Sequence, residues 1–318
     1  MKFKQRKVVV IGAGAVGTTY IYALLQHSLA TEIALVDIDR QRLEGEVMDL
    51  SHGLPFIAPV EIHAGSYDDC TDANLIVLTA GAKQTPGQSR IDLVRKNAEM
   101  LKAICKQIKS RHSKAVIVVV TNPVDVLTQL AIQQLRWPRQ RIIGSGTVLD
   151  SSRFKYLLSR HCGVDARNVH AYVLGEHGDS EVAAWSMTHI AGVPVRKYCP
   201  ACRKCAYEKC HADIAEMVRD SAYHIIDYKG STYYGIGLSL VRISEAILRN
   251  ENSVLTVSVL LQGEYGLRDV CLSVPCVIDA NGVQKIIDAP LNRAESEALK
   301  KSARTLMEIF RSIKNRGS

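Results

Sequence analysis

Apolar positions in the first half of the chain come in short, continuous β-branched runs separated by longer stretches with a helical rhythm. Lys7-Val8-Val9-Val10-Ile11 and Glu32-Ile33-Ala34-Leu35-Val36 show no polar alternation, the pattern of strands buried on both faces of a parallel sheet. The same pattern predicts strands over 60–64, 75–79, 116–120 and 141–143, with helices over 18–26, 43–50, 91–109 and 124–134 between them. After about residue 145 the alternation gives way to a helix over 151–160 and shorter, mixed elements. Helices over 212–228 and 238–249 follow, then strands over 254–261, 270–277 and 283–287. A terminal helix over 293–314 carries Leu299, Leu306 and Ile309 on one side. The pattern predicts an α/β fold with a doubly wound parallel sheet over residues 1–145, followed by a mixed α+β substrate domain over 146–318.

The first strand runs directly into Gly12-Ala13-Gly14-Ala15-Val16-Gly17, and the second ends at Asp37. Strand, glycine loop, helix, strand and acid are the parts a dinucleotide site needs. Gly12 permits a tight turn, Gly14 lets a pyrophosphate reach backbone N–H groups, and Gly17 permits close packing of helix on strand. Asp37 is placed to accept from ribose hydroxyls and would repel a 2′-phosphate, which favours NAD over NADP.

Composition narrows the class further. A chain of 318 residues with 47% hydrophobic content can bury a large core, and no apolar run approaches the ~20 residues of a membrane span. The N-terminus lacks the apolar region of a signal peptide, so a soluble, cytoplasmic enzyme is expected. The net charge of +8 is spread along the chain with no nucleic-acid motif, which suits attraction of anionic metabolites and a basic, solvated surface.

Candidate chemistry centres on His177, in Leu174-Gly175-Glu176-His177-Gly178-Asp179-Ser180. Imidazole is the side chain whose unperturbed pKa lies nearest neutrality, and flanking glycines let a ligand approach the backbone. Asn122, in Thr121-Asn122-Pro123-Val124-Asp125, follows a strand at the carboxyl end of the sheet, where open α/β folds bind ligands. Asp150 and Arg153 stand three apart on one helix face. The polar segment from Ala80 to Arg90, with Gln84 near its centre, suits a mobile lid, and Thr232 adds a hydroxyl. Taken singly, each has an ordinary structural explanation: a turn histidine, a turn asparagine, a helix-capping aspartate, a surface arginine.

Together and in this order, these segments resemble the lactate and malate dehydrogenase family, specifically its bacterial L-lactate dehydrogenases, from Lys7 to the terminal helix. The resemblance implies an NAD-binding Rossmann domain with strand order 3-2-1-4-5-6 in a homotetramer or dimer. The first strand begins near residue 7, without the arm that vertebrate members use in assembly, so tetramer contacts are expected elsewhere. The implied reaction is NADH-dependent reduction of pyruvate to L-lactate. His177 would pass the proton, Asp150 would fix its tautomer, Arg153 would grip the substrate carboxylate, and Arg90 would polarise the carbonyl. Asn122 would bond the substrate oxygen, Thr232 would border the methyl group, and Val16, Val120 and Ile236 would contact the cofactor. Gln84 stands where malate dehydrogenases of the family place arginine, which points to pyruvate. Malate dehydrogenase, a dehydrogenase of larger 2-hydroxy acids such as hydroxyisocaproate, and a catalytically silent NAD-binding structural protein are the alternatives.

Two further positions come from the resemblance. Activation of many bacterial members by fructose 1,6-bisphosphate uses an arginine and a histidine whose positions here hold Lys155 and His170; the histidine is kept, and lysine keeps the charge without the planar fork. The family pattern does not explain Cys199, Cys202, Cys205 and Cys210, with His211 adjacent. Their spacing allows tetrahedral thiolate ligation of zinc, an iron–sulfur cluster, a disulfide or free thiols. It lacks the paired, well-separated units of established zinc modules, and no metal is assigned.

Overall fold

The computed structural model describes residues 5–82, 90–202 and 207–314; Gln84 and Cys205 lie outside them, as do the side chains of Arg90, Cys202 and Cys210. The first half runs β1 (Lys7–Ile11), α1 (Ala15–Gln26), β2 (Glu32–Val36), α2 (Arg40–His52), β3 (Glu61–Ala64), β4 (Leu75–Leu78), α3 (Arg90–Lys109), β5 (Val116–Val119), α4 (Val124–Leu135) and β6 (Ile142–Gly144). All six strands pair in parallel, in the order β3-β2-β1-β4-β5-β6. Every residue of β1, β4 and β5 is buried, as unbroken apolar runs require. Chain order reverses between β1 and β4, which opens a crevice at their carboxyl ends.

The second half contributes α5 (Val148–Cys162), β7 (Val169–His170), β8 (Val173–Gly175), β9 (Glu181–Ala183), β10 (His189–Ile190), β11 (Val193–Pro194), α6 (Val195–Cys202), α7 (Tyr207–Lys229), α8 (Tyr234–Leu248), β12 (Ser253–Gln262), β13 (Arg268–Asp279), β14 (Gly282–Ile286) and α9 (Arg293–Lys314). The long β12–β13 hairpin does not form a sheet of its own. Ser258 of β12 pairs antiparallel with Gly144 of β6, and β13 carries β8, β9 and β14, so one eleven-stranded sheet spans both halves. A Cβ on Gly144 would lie 2.5 Å from Oγ1 of Thr128 and 2.8 Å from Cβ of Ser258, so a side chain there would push the two halves apart.

Two packed groups follow from this arrangement. The main core fills both faces of the large sheet and takes in α1, α3, α4, α8 and α9. A smaller cluster joins Phe154, Leu158 and Cys162 of α5 to Cys199 of α6 and to Ile214 and Val218 of α7. The terminal helix occupies its predicted span, and its buried stripe is Leu299, Ala303, Leu306 and Phe310. Ile309 lies at the margin of that stripe, because the chain's 3.6-residue turn centres it one position further on. No described helix is long and apolar enough to cross a membrane.

Candidate active site

The glycine loop after β1 closes tightly at two points and stays open at a third. Gly12 has φ +117°, and a Cβ there would meet the backbone nitrogen of Ala80 at 2.5 Å; one on Gly17 would meet the Gly12 carbonyl oxygen at 2.1 Å. Gly14, the residue before α1, faces open space and supplies no side-chain cap, so the first-turn N–H groups of α1 are left for a ligand. Asp37 accepts from the Ala13 N–H at 2.7 Å and from the Asp39 N–H at 3.0 Å, so it also holds the loop in place. Beside it Ile38, 94% exposed, offers an apolar ledge and no cation for a 2′-phosphate. Val16, Val120 and Ile236 are half-buried against the main core: Val16 in α1, Val120 directly after β5 and Ile236 in the first turn of α8. Thr232 is half-buried just before α8.

Asp150 is the centre of the second group. It sits in the first turn of α5, which begins three residues earlier than the sequence pattern predicts, and its side chain is 1% exposed. One carboxylate oxygen lies 2.6 Å from Nδ1 of His177 and the other accepts from Arg153 at 2.7 Å. Both partners are therefore drawn to one buried carboxylate: the His177 contact is the one the resemblance implied, and the Arg153 contact is one that the three-residue spacing allows. Burial alone would raise the Asp150 pKa, but the His177 and Arg153 charges outweigh it and keep the carboxyl ionised. In return the Asp150 carboxylate pushes the His177 imidazole up to about 9 against the opposing effect of burial. His177 is 25% exposed, and its Nε2 has no hydrogen-bond partner among the described residues.

Further contacts hold this group, and the sequence pattern did not single out their residues. Asp125 accepts from the His177 backbone N–H at 2.9 Å and from the Ser258 hydroxyl at 2.6 Å, joining the histidine loop, α4 and β12. Burial raises the Asp125 carboxyl to about 6, while these two donors stabilise its charge. Ser302 of α9 accepts from the Glu176 N–H, and Ser180 donates to Glu176, so the loop is fixed on both sides of His177. Asn97, buried in α3, accepts from the Ala82 N–H at 2.8 Å and donates to the Asn122 carbonyl at 2.9 Å, tying the root of the 83–89 segment to the loop after β5. The Asn122 residue itself is exposed. Glu181 of β9 is pushed up to about 8, first by burial and then by the Asp150 carboxylate, so a neutral acid stands near the couple. A sequence signal existed for Asp125 alone, the one charged residue in its helix.

The open end of α1, the ribose-facing acid and an acid–imidazole couple joined to a guanidinium describe a nicotinamide-dependent oxidoreductase site. Comparison with known proteins points to the same class of enzyme. Residues 6–144 match the family model for the lactate/malate dehydrogenase NAD binding domain, and 147–316 match that for the alpha/beta C-terminal domain. The chain is 53% identical over 314 residues to L-lactate dehydrogenase of Treponema denticola, covering 98% of this chain and 99% of that one. It is 51% identical over 308 residues to the enzyme of the same name from Acetivibrio thermocellus, covering 97% of each. The ligands-bound crystal structure of a minor L-lactate dehydrogenase from Enterococcus mundtii superposes with a TM-score of 0.94 at 42% identity, over 97% of this chain and 98% of that one. With both halves matched and the glycine loop, Asp37, Asp150, Arg153 and His177 in place, the chain belongs to the lactate/malate dehydrogenase family.

Proposed function

We propose that the chain is an NAD-dependent L-lactate dehydrogenase that interconverts pyruvate and L-lactate, with residues 1–145 holding the nucleotide and 146–318 supplying most of the substrate groups. The observation that carries this is the single buried carboxylate shared by His177 and Arg153. The residues present fit NAD: the open face of Gly14 and the uncapped start of α1 suit the pyrophosphate, and Asp37 with Ile38 suits a ribose without a 2′-phosphate. Bound as NADH, the cofactor supplies the hydride that reduces the carbonyl carbon.

The chain's own residues do the rest. Arg153, one arm anchored on Asp150, presents the remainder of its planar fork to the pyruvate carboxylate and fixes the orientation of the carbonyl. His177 enters protonated and gives its Nε2 proton to the carbonyl oxygen, which becomes the lactate hydroxyl. Asp150 keeps the Nδ1 proton in place as the ring becomes neutral, and in lactate oxidation it stabilises the imidazolium that forms. Arg90, at the start of α3, is proposed to polarise the carbonyl, and Asn122 to bond the substrate oxygen. Val120 and Ile236 are proposed to pack on the nicotinamide, with Thr232 beside the methyl group. Gln84 gives the substrate preference: a neutral amide suits the pyruvate methyl group and leaves a second carboxylate, as in oxaloacetate, without a counter-charge.

The exposed surface and the α5 neighbourhood bear on assembly and control. Tyr22, Tyr234 and Leu238 are exposed along one groove with Leu50, and Met48 and Phe56 are exposed nearby in sequence on and after α2; such apolar surface suits contact between copies in a homotetramer. Cytoplasmic pyruvate reduction that regenerates NAD at the end of fermentative glycolysis is the matching cellular role. Lys155 is half-buried, with its ammonium 5.7 Å from the Tyr172 ring, and burial and then Arg242 lower its pKa, so an anion would relieve the site. His170 is exposed on β7 and faces His189 across the strand pair. This supports fructose 1,6-bisphosphate as an activator at Lys155 and His170.

Three measurements test these assignments. His177→Asn keeps the size of the side chain and loses the proton, so turnover of pyruvate with NADH should fall by at least ~10²-fold while NADH binding, followed by fluorescence, stays within about twofold. Near-normal turnover would remove His177 from the reaction. The wild type should prefer pyruvate to oxaloacetate by at least ~10²-fold in kcat/KM, and Gln84→Arg should reverse that order; an arginine variant that still prefers pyruvate shows that residue 84 does not meet the substrate. Titration with fructose 1,6-bisphosphate at subsaturating pyruvate should raise the rate, and His170→Ala should abolish the rise. A flat wild-type response eliminates the regulatory assignment.

A further inference from the structure

His177 is held by two carboxylates from different halves of the chain. Asp150 of α5 takes its ring nitrogen at 2.6 Å, and Asp125 of α4 takes its backbone N–H at 2.9 Å. Gly175, at φ +89°, and Gly178 lie on either side, so the chain there has little stiffness of its own and the backbone bond matters. Asp125 is 1% exposed, and its other oxygen accepts from the Ser258 hydroxyl of β12 at 2.6 Å. Both partners donate, which suits an ionised carboxylate that can only accept. Burial opposes that charge and brings the carboxyl to about 6, with Ser258 and the His177 N–H pulling the other way. The titratable groups that face Asp125 are His177, which favours its charge, and Glu176, which opposes it, both from the histidine loop. From β13 comes the Cys271 thiol, which burial keeps protonated.

We propose, resting on the reaction assigned above, that Asp125 is a positioning residue for His177, a latch that holds the histidine backbone in its reactive place only while the Asp125 carboxylate is ionised. When Asp125 takes up a proton, the new O–H turns to the Ser258 oxygen and reverses that bond, since the His177 N–H can accept nothing. The N–H is left with a neutral acceptor, and a charge-assisted hydrogen bond is roughly twice as strong as a neutral one. The His177 imidazole also loses a nearby negative charge: Asp150 is the main cause of its raised pKa, and Asp125 adds to it. The ring stays bonded to Asp150, so the donor remains protonated while its backbone loosens. Turnover should therefore fall as the pH drops through about 6, well below the range near 9 in which His177 itself titrates. A carboxylate with a merely structural role would leave turnover flat there.

The test follows the His177 backbone amide resonance of the full chain, made with isotope-labelled histidine and identified by its loss in His177→Asn. In the wild type it should move upfield on acidification with a midpoint near 6. Asp125→Asn keeps an acceptor for the N–H and a donor for the Ser258 oxygen but no charge, so its resonance should stay at the acid position throughout. Ser258→Ala removes a donor that stabilises the charge and should raise the midpoint. With pyruvate and NADH, wild-type kcat near neutral pH should exceed that of Asp125→Asn by about tenfold and should converge on it in acid, with KM for pyruvate within about twofold. An amide that does not titrate near 6, or that titrates equally in Asp125→Asn, overturns the latch. So does an acid limb of kcat that Asp125→Asn retains. Absence of pyruvate turnover at every pH would count against the assigned reaction alone, and the amide resonance would still decide the latch.

Discussion

The Asp150 carboxylate is the interaction on which the site depends. At 1% exposure an ionised carboxylate is tolerable only with counter-charges at contact distance, and it has two, His177 at 2.6 Å and Arg153 at 2.7 Å. One buried charge thus places the imidazole proposed as proton donor and the guanidinium proposed to bind the substrate carboxylate relative to each other, and keeps the imidazole charged. Since the folded pKa of His177 lies above that of a free imidazole, the stability it contributes is complete below about pH 6.5 and is lost as the pH rises through about 9.

The fold brings distant segments to that charge. Asp125 opens α4 at the carboxyl end of the parallel strands, close to the crevice that suits the dinucleotide, and its bond to the His177 N–H fixes the histidine loop to the same edge. Ser258 on β12 reaches the same carboxylate because β12 pairs with β6, so the added antiparallel strands and the histidine loop are set by one arrangement. Asn97 does similar work on the other side, linking the root of the 83–89 segment to the Asn122 loop through two hydrogen bonds from one buried amide. The proposed hydride transfer needs cofactor, carbonyl and acid within a few tenths of an ångström of their places, and links of this kind would fix the segments that carry the acid.

What could be read from the sequence was what is local. Unbroken apolar runs marked β1, β2, β4 and β5, and the 3.6-residue period marked α9 over its observed span. Gly12, Gly14 and Gly17 were legible because backbone approach leaves a residue-type signature at fixed spacing, and Gly12 and Gly17 are indeed positions where no Cβ fits. The antiparallel extension of the sheet was not legible, because Ser258 and Gly144 meet across more than a hundred residues and neither residue type announces the pairing. Ser258, Ser302 and Asn97 escaped for the same reason: a serine or an asparagine reads as surface until its partner is known. Glu181 was passed over because its raised pKa comes from burial and from Asp150, neither of which appears in its own segment.

The central claim is that Asp150 holds His177 protonated before substrate arrives. It is tested most directly by following the His177 imidazole resonances of the apo protein against pH, in the wild type and in Asp150→Asn. The account predicts a wild-type midpoint near 9 and a variant midpoint below 6.5, because without the carboxylate burial and the Arg153 charge outweigh the smaller pull of Asp125. A wild-type midpoint near 6.5, or one that Asp150→Asn leaves in place, would contradict it.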